Sequence, residues 1–242
     1  MSRYYYDLHT HSCLSPCADN DNTPYNLVGM AAISGIDILA LTDHNTCKNC
    51  PAFFKAAEKY GVTAVAGMEL TTAEEIHVVC LFEELQNALL FDKEIDSRRL
   101  KIKNREDIFG EQLIMGEDDM GIGIEEFLLS VATTVSLDEV PRLVEKYGGV
   151  CYPAHIDRQA NSIITVLGTI PETPKFNCFE IHDTDKIKFF REKYNLHDKK
   201  IIISSDAHYL EGIKDKENYF ELGAKKSDSA EIRAELFKEL RR

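Results

Sequence analysis

Asp7-Leu8-His9-Thr10-His11 closes the first predicted strand, Tyr4 to Leu8, and the fold turns on how it is read. Along an extended chain, residues two apart point to the same side, so His9 and His11 present both imidazoles to one point. That is a metal-binding geometry. An isolated pair of this kind is more often just two histidines on a half-buried strand. The rest of the chain changes that balance, because His44, Glu69, His77, His155, Asp206 and His208 recur where later strands end.

Working outward, a polar loop rich in turn formers runs from Ser12 to Asn22. Thr23 caps a helix with Pro24 at its first position, running to about Ser34. The second strand, Asp37 to Leu41, ends in Thr42-Asp43-His44-Asn45. Pro51 opens a helix over Ala52 to Tyr60 that Gly61 closes. Val62 to Ala66 reads as the third strand and leads to Gly67-Met68-Glu69; Ile76 to Phe82 reads as the fourth and carries His77. Helical spacing of Leu85, Leu89, Leu90 and Ile95 marks Glu83 to about Leu100.

From Lys101 the pattern fades, and about 101–135 reads as an insertion, either a lid-like segment over one end or a solvated excursion. Within it, Glu125 to Ala132 is expected to be helical. Ser136-Leu137-Asp138-Glu139 is a capping box for a helix to Tyr147, with Pro141 uncomfortably late in it. Further strands are expected at Val150 to Pro153, Asn177 to Ile181 and Ile201 to Ser204. Helices are expected at Ser162 to Leu167, at Lys186 to Tyr194 and after Ser227-Asp228-Ser229. Strands alternating with helices imply a parallel α/β fold, a distorted (β/α)7 barrel with a small helical or irregular insertion, in one domain over 1–242. Residues far apart in sequence would then converge at the C-terminal ends of the strands.

The 28 Lys and Arg against 41 Asp and Glu give a net charge of -13, which excludes a protein that coats nucleic acid electrostatically. A phosphorylated substrate stays open, since bound cations concentrate positive charge locally. No stretch reaches the roughly 18 apolar residues of a membrane span, and no signal segment is apparent, so a cytoplasmic location is expected. Seven cysteines then read as reduced thiols rather than a disulfide framework. Cys47-x-x-Cys50, with Cys13 and Cys17, reads either as such thiols or as a soft-metal or redox cluster.

In order, Asp7-Leu8-His9-Thr10-His11-Ser12, Leu41-Thr42-Asp43-His44-Asn45, Gly67-Met68-Glu69, His77, Ala154-His155 and Ser205-Asp206-Ala207-His208 resemble the motifs of the PHP (polymerase and histidinol phosphatase) superfamily. The similarity is closer to its stand-alone TrpH-type phosphoesterases. It implies a distorted barrel holding two or three divalent metals, manganese, zinc or iron, that hydrolyses phosphomonoesters through a metal-bridging hydroxide. By the same resemblance His9, His11, Glu69 and Asp206 hold one metal. Glu69 bridges to a second held by His77 and His155, and His44 and His208 hold a third. Imidazoles suit these metals independently, and a bridging carboxylate lets two cations lie roughly 3.5 to 4 Å apart.

Relatives place an aspartate five residues after the second histidine, where this chain has Pro16. Counting back from Thr23-Pro24 selects Asp19 as the third-site ligand, with Cys17 and Asp21 as competitors; the hard carboxylate is preferred. Asp43 is expected to orient an imidazole or to accept a proton, as are Asp206 and His208 to move protons. Arg158, three residues after His155, matches an arginine that binds substrate phosphate. Glu180 is expected to be a supporting acid, whereas His182 has no motif and His197 reads as surface.

The implied substrates are nucleoside 3',5'-bisphosphates or the 5' ends of short oligonucleotides, with no stable binding of duplex nucleic acid. Histidinol phosphate is the alternative within the superfamily. Outside it stand a C-N bond hydrolase, whose mark would be a bridging lysine, and an inactive metal-stabilised interaction module.

Overall fold

The computed structural model describes residues 1–242. Its strands are β1 (Ser2–Asp7), β2 (Ile38–Leu41), β3 (Thr63–Thr71), β4 (His77–Phe82), β5 (Leu113–Met115), β6 (Gly121–Ile124), β7 (Gly149–Pro153), β8 (Cys178–Glu180), β9 (Lys200–Ile202) and β10 (Tyr219–Leu222). The helices are α1 (Pro24–Ile33), α2 (Cys50–Tyr60), α3 (Leu85–Asp96), α4 (Glu106–Phe109), α5 (Val140–Lys146), α6 (Ile163–Leu167), α7 (Ile187–Lys193) and α8 (Ser229–Leu240). No helix is long and apolar enough to cross a membrane.

Local chemistry sets several of these boundaries. Thr23 accepts the Asn26 N–H at the start of α1, and Gly61, with φ 71°, ends α2 in the left-handed conformation. Asp228 caps α8 by accepting the Ala230 and Glu231 N–H groups.

The main sheet has the order β10-β1-β2-β3-β4-β7. Only β1–β2 and β2–β3 are parallel; β3–β4, β4–β7 and β1–β10 run antiparallel, so the expectation of an all-parallel sheet is corrected. The reason is the connection: residues 72–76 between β3 and β4 are too few for a crossover helix, and only antiparallel neighbours can be joined by so short a link. The parallel pair β8–β9 carries the curl onward. Ile156 N–H donates to the Glu180 carbonyl, and Leu8 N–H to Ser204 Oγ, which ties this pair to the end of β7 and to β1. The outcome is a mixed α/β fold with a curled, barrel-like sheet.

Alternate residues of β2 face different cores. Leu39 and Leu41 join α1, α2 and α3 through Leu27, Phe53 and Phe91; Ile38 and Ala40 join Leu8, Val65, Val79 and Tyr152 inside the curl. The inner cluster is completed by Ile232, Leu236, Phe237 and Leu240 of α8, each burial contributing about 1.5–3 kcal/mol. Cys178 and Lys200, at the starts of β8 and β9, bond the last carbonyls of α8. That helix closes the end of the curl remote from the histidines.

Two further expectations are corrected. Glu125 to Ala132 is not helical, because side-chain amides take over its backbone bonds. Gln112 Nε2–H donates to the Glu125 and Phe127 carbonyls, and Asn45 Nδ2–H to those of Leu129 and Val131. The helix after Ser136 starts only at Val140, although Glu139 does accept from the Ser136 N–H and hydroxyl. Pro141 therefore lies in its first turn, where it is tolerated. The β5–β6 hairpin leans on the loop after β1: Leu113 N–H donates to the Cys13 carbonyl, and Asn49 bonds Leu113, Met115 and Ser12.

Candidate metal centre

Four fully buried groups converge first. His9 and His11 Nε2 lie 3.1 Å apart; Asp206 Oδ1 is 3.3 and 3.1 Å from them, and the Glu69 oxygens are 3.4 Å from each. Glu69 then faces a second set. Its Oε1 lies 2.9 Å from His77 Nδ1 and 3.1 Å from His155 Nε2, and its Oε2 lies 3.0 Å from His44 Nδ1. A third set, His11, His44 and His208, brings ring nitrogens within 4.8 Å of one another.

The ring tautomers follow from the partners behind them. Both Glu180 oxygens lie 3.0 Å from His9 Nδ1, so that nitrogen donates and Nε2 keeps its lone pair for the centre. His208 Nδ1–H donates to the Asp206 carbonyl at 2.8 Å, with the same effect. The Ser15 hydroxyl gives its proton to Asp43 at 2.8 Å and so can only accept from His11 Nδ1–H at 3.1 Å. Asp43 therefore stands behind Ser15 rather than in the cavity, its oxygens also taking the Ser12 N–H and hydroxyl at 2.7 Å each.

Strained backbone aims several of these side chains. Asn45, His155 and Asp206 have φ of 52°, 27° and 52°, the left-handed region that non-glycine residues seldom adopt, at a cost of about 1–3 kcal/mol each. Each is held by its own bonds. His155 N–H donates to Glu180, Asn45 accepts from Thr71 N–H, and Asp206 Oδ2 pairs with Arg158 at 2.6 Å.

The charges are arranged to match. Burial alone would raise the Glu69 pKa, but the rings of His77, His9 and His44 hold it well below the usual carboxylate range. Asp206 is likewise lowered against its burial by His9 and His11. Burial opposes a charged His9, yet Glu180, Asp206 and Glu69 raise its pKa well above the ordinary value; burial and the adjacent His208 ring push His11 down.

This donor set fits divalent cations. His44 and His77 Nδ1 lie 3.0 and 2.9 Å from Glu69 oxygens and are buried without a hydrogen-bond partner, so each has a nitrogen to offer a cation. Imidazoles with fixed lone pairs around an anionic carboxylate suit zinc, iron or manganese. His44, Glu69, His77, His155, Arg158, Asp206 and His208 line a cavity of about 130 Å³.

Asp19 is not brought to this centre. Its carboxylate accepts the Asp21 N–H at 2.9 Å and, with Asp21, lines a separate hollow beside Tyr209 and Glu211. Cys17, in the same loop, is exposed; desolvation would raise its thiol pKa, but the influence of the His208 and His44 rings brings it down to about 6. Cys47 and Cys50 are buried thiols directed at the Gly67 carbonyl, away from the centre. Sequence reasoning missed Ser15, for which a hydroxyl four residues after His11 was the only signal. His182 lies with Arg158, Lys186 and Lys214 in a larger adjoining cleft, and His197 is exposed.

The sequence profile of the PHP domain family matches residues 7–221. The chain belongs to this family. Over 79 residues this PHP protein is 38% identical to a 5'-3' exoribonuclease of Haemophilus influenzae, a match covering 31% of the chain and 28% of that relative. Over 99 residues it is 31% identical to an uncharacterised protein of Methanocaldococcus jannaschii, covering 37% of the chain and 58% of the relative. In each case the match spans less than two thirds of the relative's length.

The PHP fold is shared with a lesion-specific endonuclease from Pyrococcus furiosus, at a TM-score of 0.65 and 16% identity over 96% of this chain and 55% of that one. It is also shared with a candidate metal-dependent phosphoesterase from Bifidobacterium adolescentis, at 0.62 and 19% over 96% of each.

Proposed function

We propose that this PHP protein is a metal-dependent phosphoesterase that removes phosphate from nucleotides, either nucleoside 3',5'-bisphosphates or the 5' ends of short oligonucleotides. The observation that carries the proposal is Glu69, a single buried carboxylate shared by two imidazole sets, His9 with His11 and His44 with His77 and His155. Such a carboxylate would be able to bridge two cations. Two divalent cations so bridged supply Lewis acidity and a water acidified to near neutrality, the chemistry of phosphoester hydrolysis.

On this reading His9, His11, Glu69 and Asp206 would hold one cation, and His77 and His155 with Glu69 would hold a second. The outer position falls to His44 and His208. Arg158, partly exposed and lining the cavity, binds phosphoryl oxygens with the guanidinium edge not committed to Asp206. Asp206 Oδ2 is paired with Arg158 and His208 Nδ1–H with a carbonyl, so on this reading both would serve as ligands rather than as proton carriers. Asp43 positions His11 through Ser15.

A cavity of this size takes a phosphoryl group but no duplex. The adjoining cleft of about 560 Å³, in which Arg158, Lys186, Lys214 and His182 face Asp157, Asp183, Asp215 and Glu217, suits the sugar and base of a nucleotide. The identity to an exoribonuclease over about a third of the chain supports the same substrate class. No lysine lines the cavity, where Glu69 stands among the imidazoles, so a C-N hydrolase is disfavoured.

Phosphate release from a nucleoside 3',5'-bisphosphate, a 5'-phosphorylated dinucleotide and histidinol phosphate tests the proposal. The two nucleotides should be hydrolysed and His9→Ala should abolish it in a folded protein. Hydrolysis of histidinol phosphate alone, or full activity in His9→Ala, would overturn it.

A further inference from the structure

The strand β6 is an open edge. Its small sheet has two strands, and β5 fills one side of it. The far side of β5 is itself covered, with Leu113 N–H on the Cys13 carbonyl and Met115 N–H on Asn49 Oδ1. Just beyond β6, Glu125 N–H donates to the Gln112 carbonyl on the β5 side, and the Glu126 carbonyl accepts Asn104 N–H on the other. Main-chain groups alternate in direction along a strand, so Gly123 turns toward β5 while Ile122 and Ile124 turn their N–H and C=O groups outward. A bulge opposite Met115 ends this regular stretch at Ile122.

The side chains are as open as the backbone. Ile122 and Ile124, two apart and so on one face, are 69% and 53% exposed. Seven of the sixteen large apolar side chains that stay exposed lie between Leu100 and Ile124, which is a concentration rather than the usual scatter. Soluble proteins blunt such edges with a charge or a proline, and Gly121-Ile122-Gly123-Ile124 has neither.

We propose that a second copy of this chain covers the edge, the two β6 strands pairing antiparallel about a twofold axis at Gly123. In that register Ile122 of each copy faces Ile124 of the other, both with outward main-chain groups, so each of the two pairs exchanges two hydrogen bonds. The four isoleucines then shield one another on one face. The edge is complementary to itself. Charge agrees with the direction: the turn before β6 carries Glu117 and Asp118, while Lys103 and Arg105 stand by its far end, sharing their charge with Glu126 and Asp107. Antiparallel pairing brings acid toward base at both ends. A contact of one patch with itself closes, so assembly stops at two. The inference does not rest on the metal-centre reading.

Sedimentation equilibrium of the full chain over a concentration series should show monomer passing to dimer and no further. Ile122→Lys sets like charges against an apolar pair, and Ile124→Pro removes an outward N–H, which an edge strand tolerates. Both variants should stay monomeric over the same range with unchanged circular dichroism. In a Cys17→Ser background, Gly123→Cys should give a disulfide-linked dimer under oxidised glutathione, because Cα atoms about 4.5 Å apart at the axis are within bridging range. Gly121→Cys should not. A monomer at every concentration, a dimer untouched by both substitutions, or equal crosslinking at the two glycine positions would overturn the inference.

Discussion

Replacing Glu180 by Gln changes one atom and should cost the centre a ligand. Both Glu180 oxygens accept from His9 Nδ1–H at 3.0 Å, and Oε1 also accepts His155 N–H at 3.1 Å. A glutamine has only one acceptor oxygen; at the Oε1 position it serves both donors, but its amide N–H then stands at the Oε2 position, 3.0 Å from His9 Nδ1–H. The backbone donor cannot change. The His9 ring can, by moving its proton to Nε2, and that aims a hydrogen instead of a lone pair at His11, Glu69 and Asp206.

Loss of such a supporting partner costs roughly 10- to 100-fold in metal affinity, about 1.4–2.8 kcal/mol. Competition with a chelator at near-neutral pH measures the affinity, and circular dichroism confirms the fold. An unchanged affinity would refute the tautomer argument. A loss as large as that of His9→Ala would refute it differently, by making Glu180 a ligand itself.

Arg158→Ala should lower kcat/KM for a nucleotide phosphate by about 10²-fold, the scale for losing one donor to developing phosphoryl charge, with metal content retained; unchanged steady-state kinetics would contradict it. Glu125 is held by Lys48 and Arg99, and although its burial would raise the pKa these cations lower it, so the pair's stability is present above the unfolded value of 4.5 and lost as pH falls through the lower folded value. Melting temperature of the unmodified protein should therefore fall more steeply than that of Glu125→Gln between about pH 5 and pH 3, while Glu125→Gln melts lower at neutral pH, the loss of a buried pair being about 3–5 kcal/mol at its largest. Gly67→Ala should destabilise by about 1–3 kcal/mol in urea unfolding, because a Cβ there meets Cys80 O and Leu81 Cδ2 at 2.8 Å and Thr42 Cγ2 at 2.9 Å.

The convergence of ligands was legible because it depends on period and position: two histidines two apart on a strand, and acids and histidines where strands end. Glu69 shows the limit, since β3 runs on to Thr71 and places it inside the strand, facing both imidazole sets. The five residues between β3 and β4 were a readable sign of an antiparallel pair, but the alternation of strands and helices elsewhere masked it. β10 is short and lies in charged sequence, so no alternation announces it.

The helix expected at Glu125 failed because partners distant in sequence, Gln112 and Asn45, satisfy those carbonyls. Asp19 was favoured on its spacing before Thr23-Pro24 and on ligand hardness. Which residue of a tight loop points inward is set by main-chain bonds such as Asp19 N–H to His208, and those are visible only once the two segments are side by side.

Stepwise reconstitution tests the bridging role of Glu69 most directly. Protein stripped by chelator is supplied with divalent metal in counted equivalents, and phosphate release from a nucleoside 3',5'-bisphosphate is followed at each step. Release should be absent from the stripped protein and should appear only as the second cation binds, with Glu69→Gln failing to assemble the pair. Release from the stripped protein, or none when two cations are bound, would contradict the metal-dependent phosphoesterase.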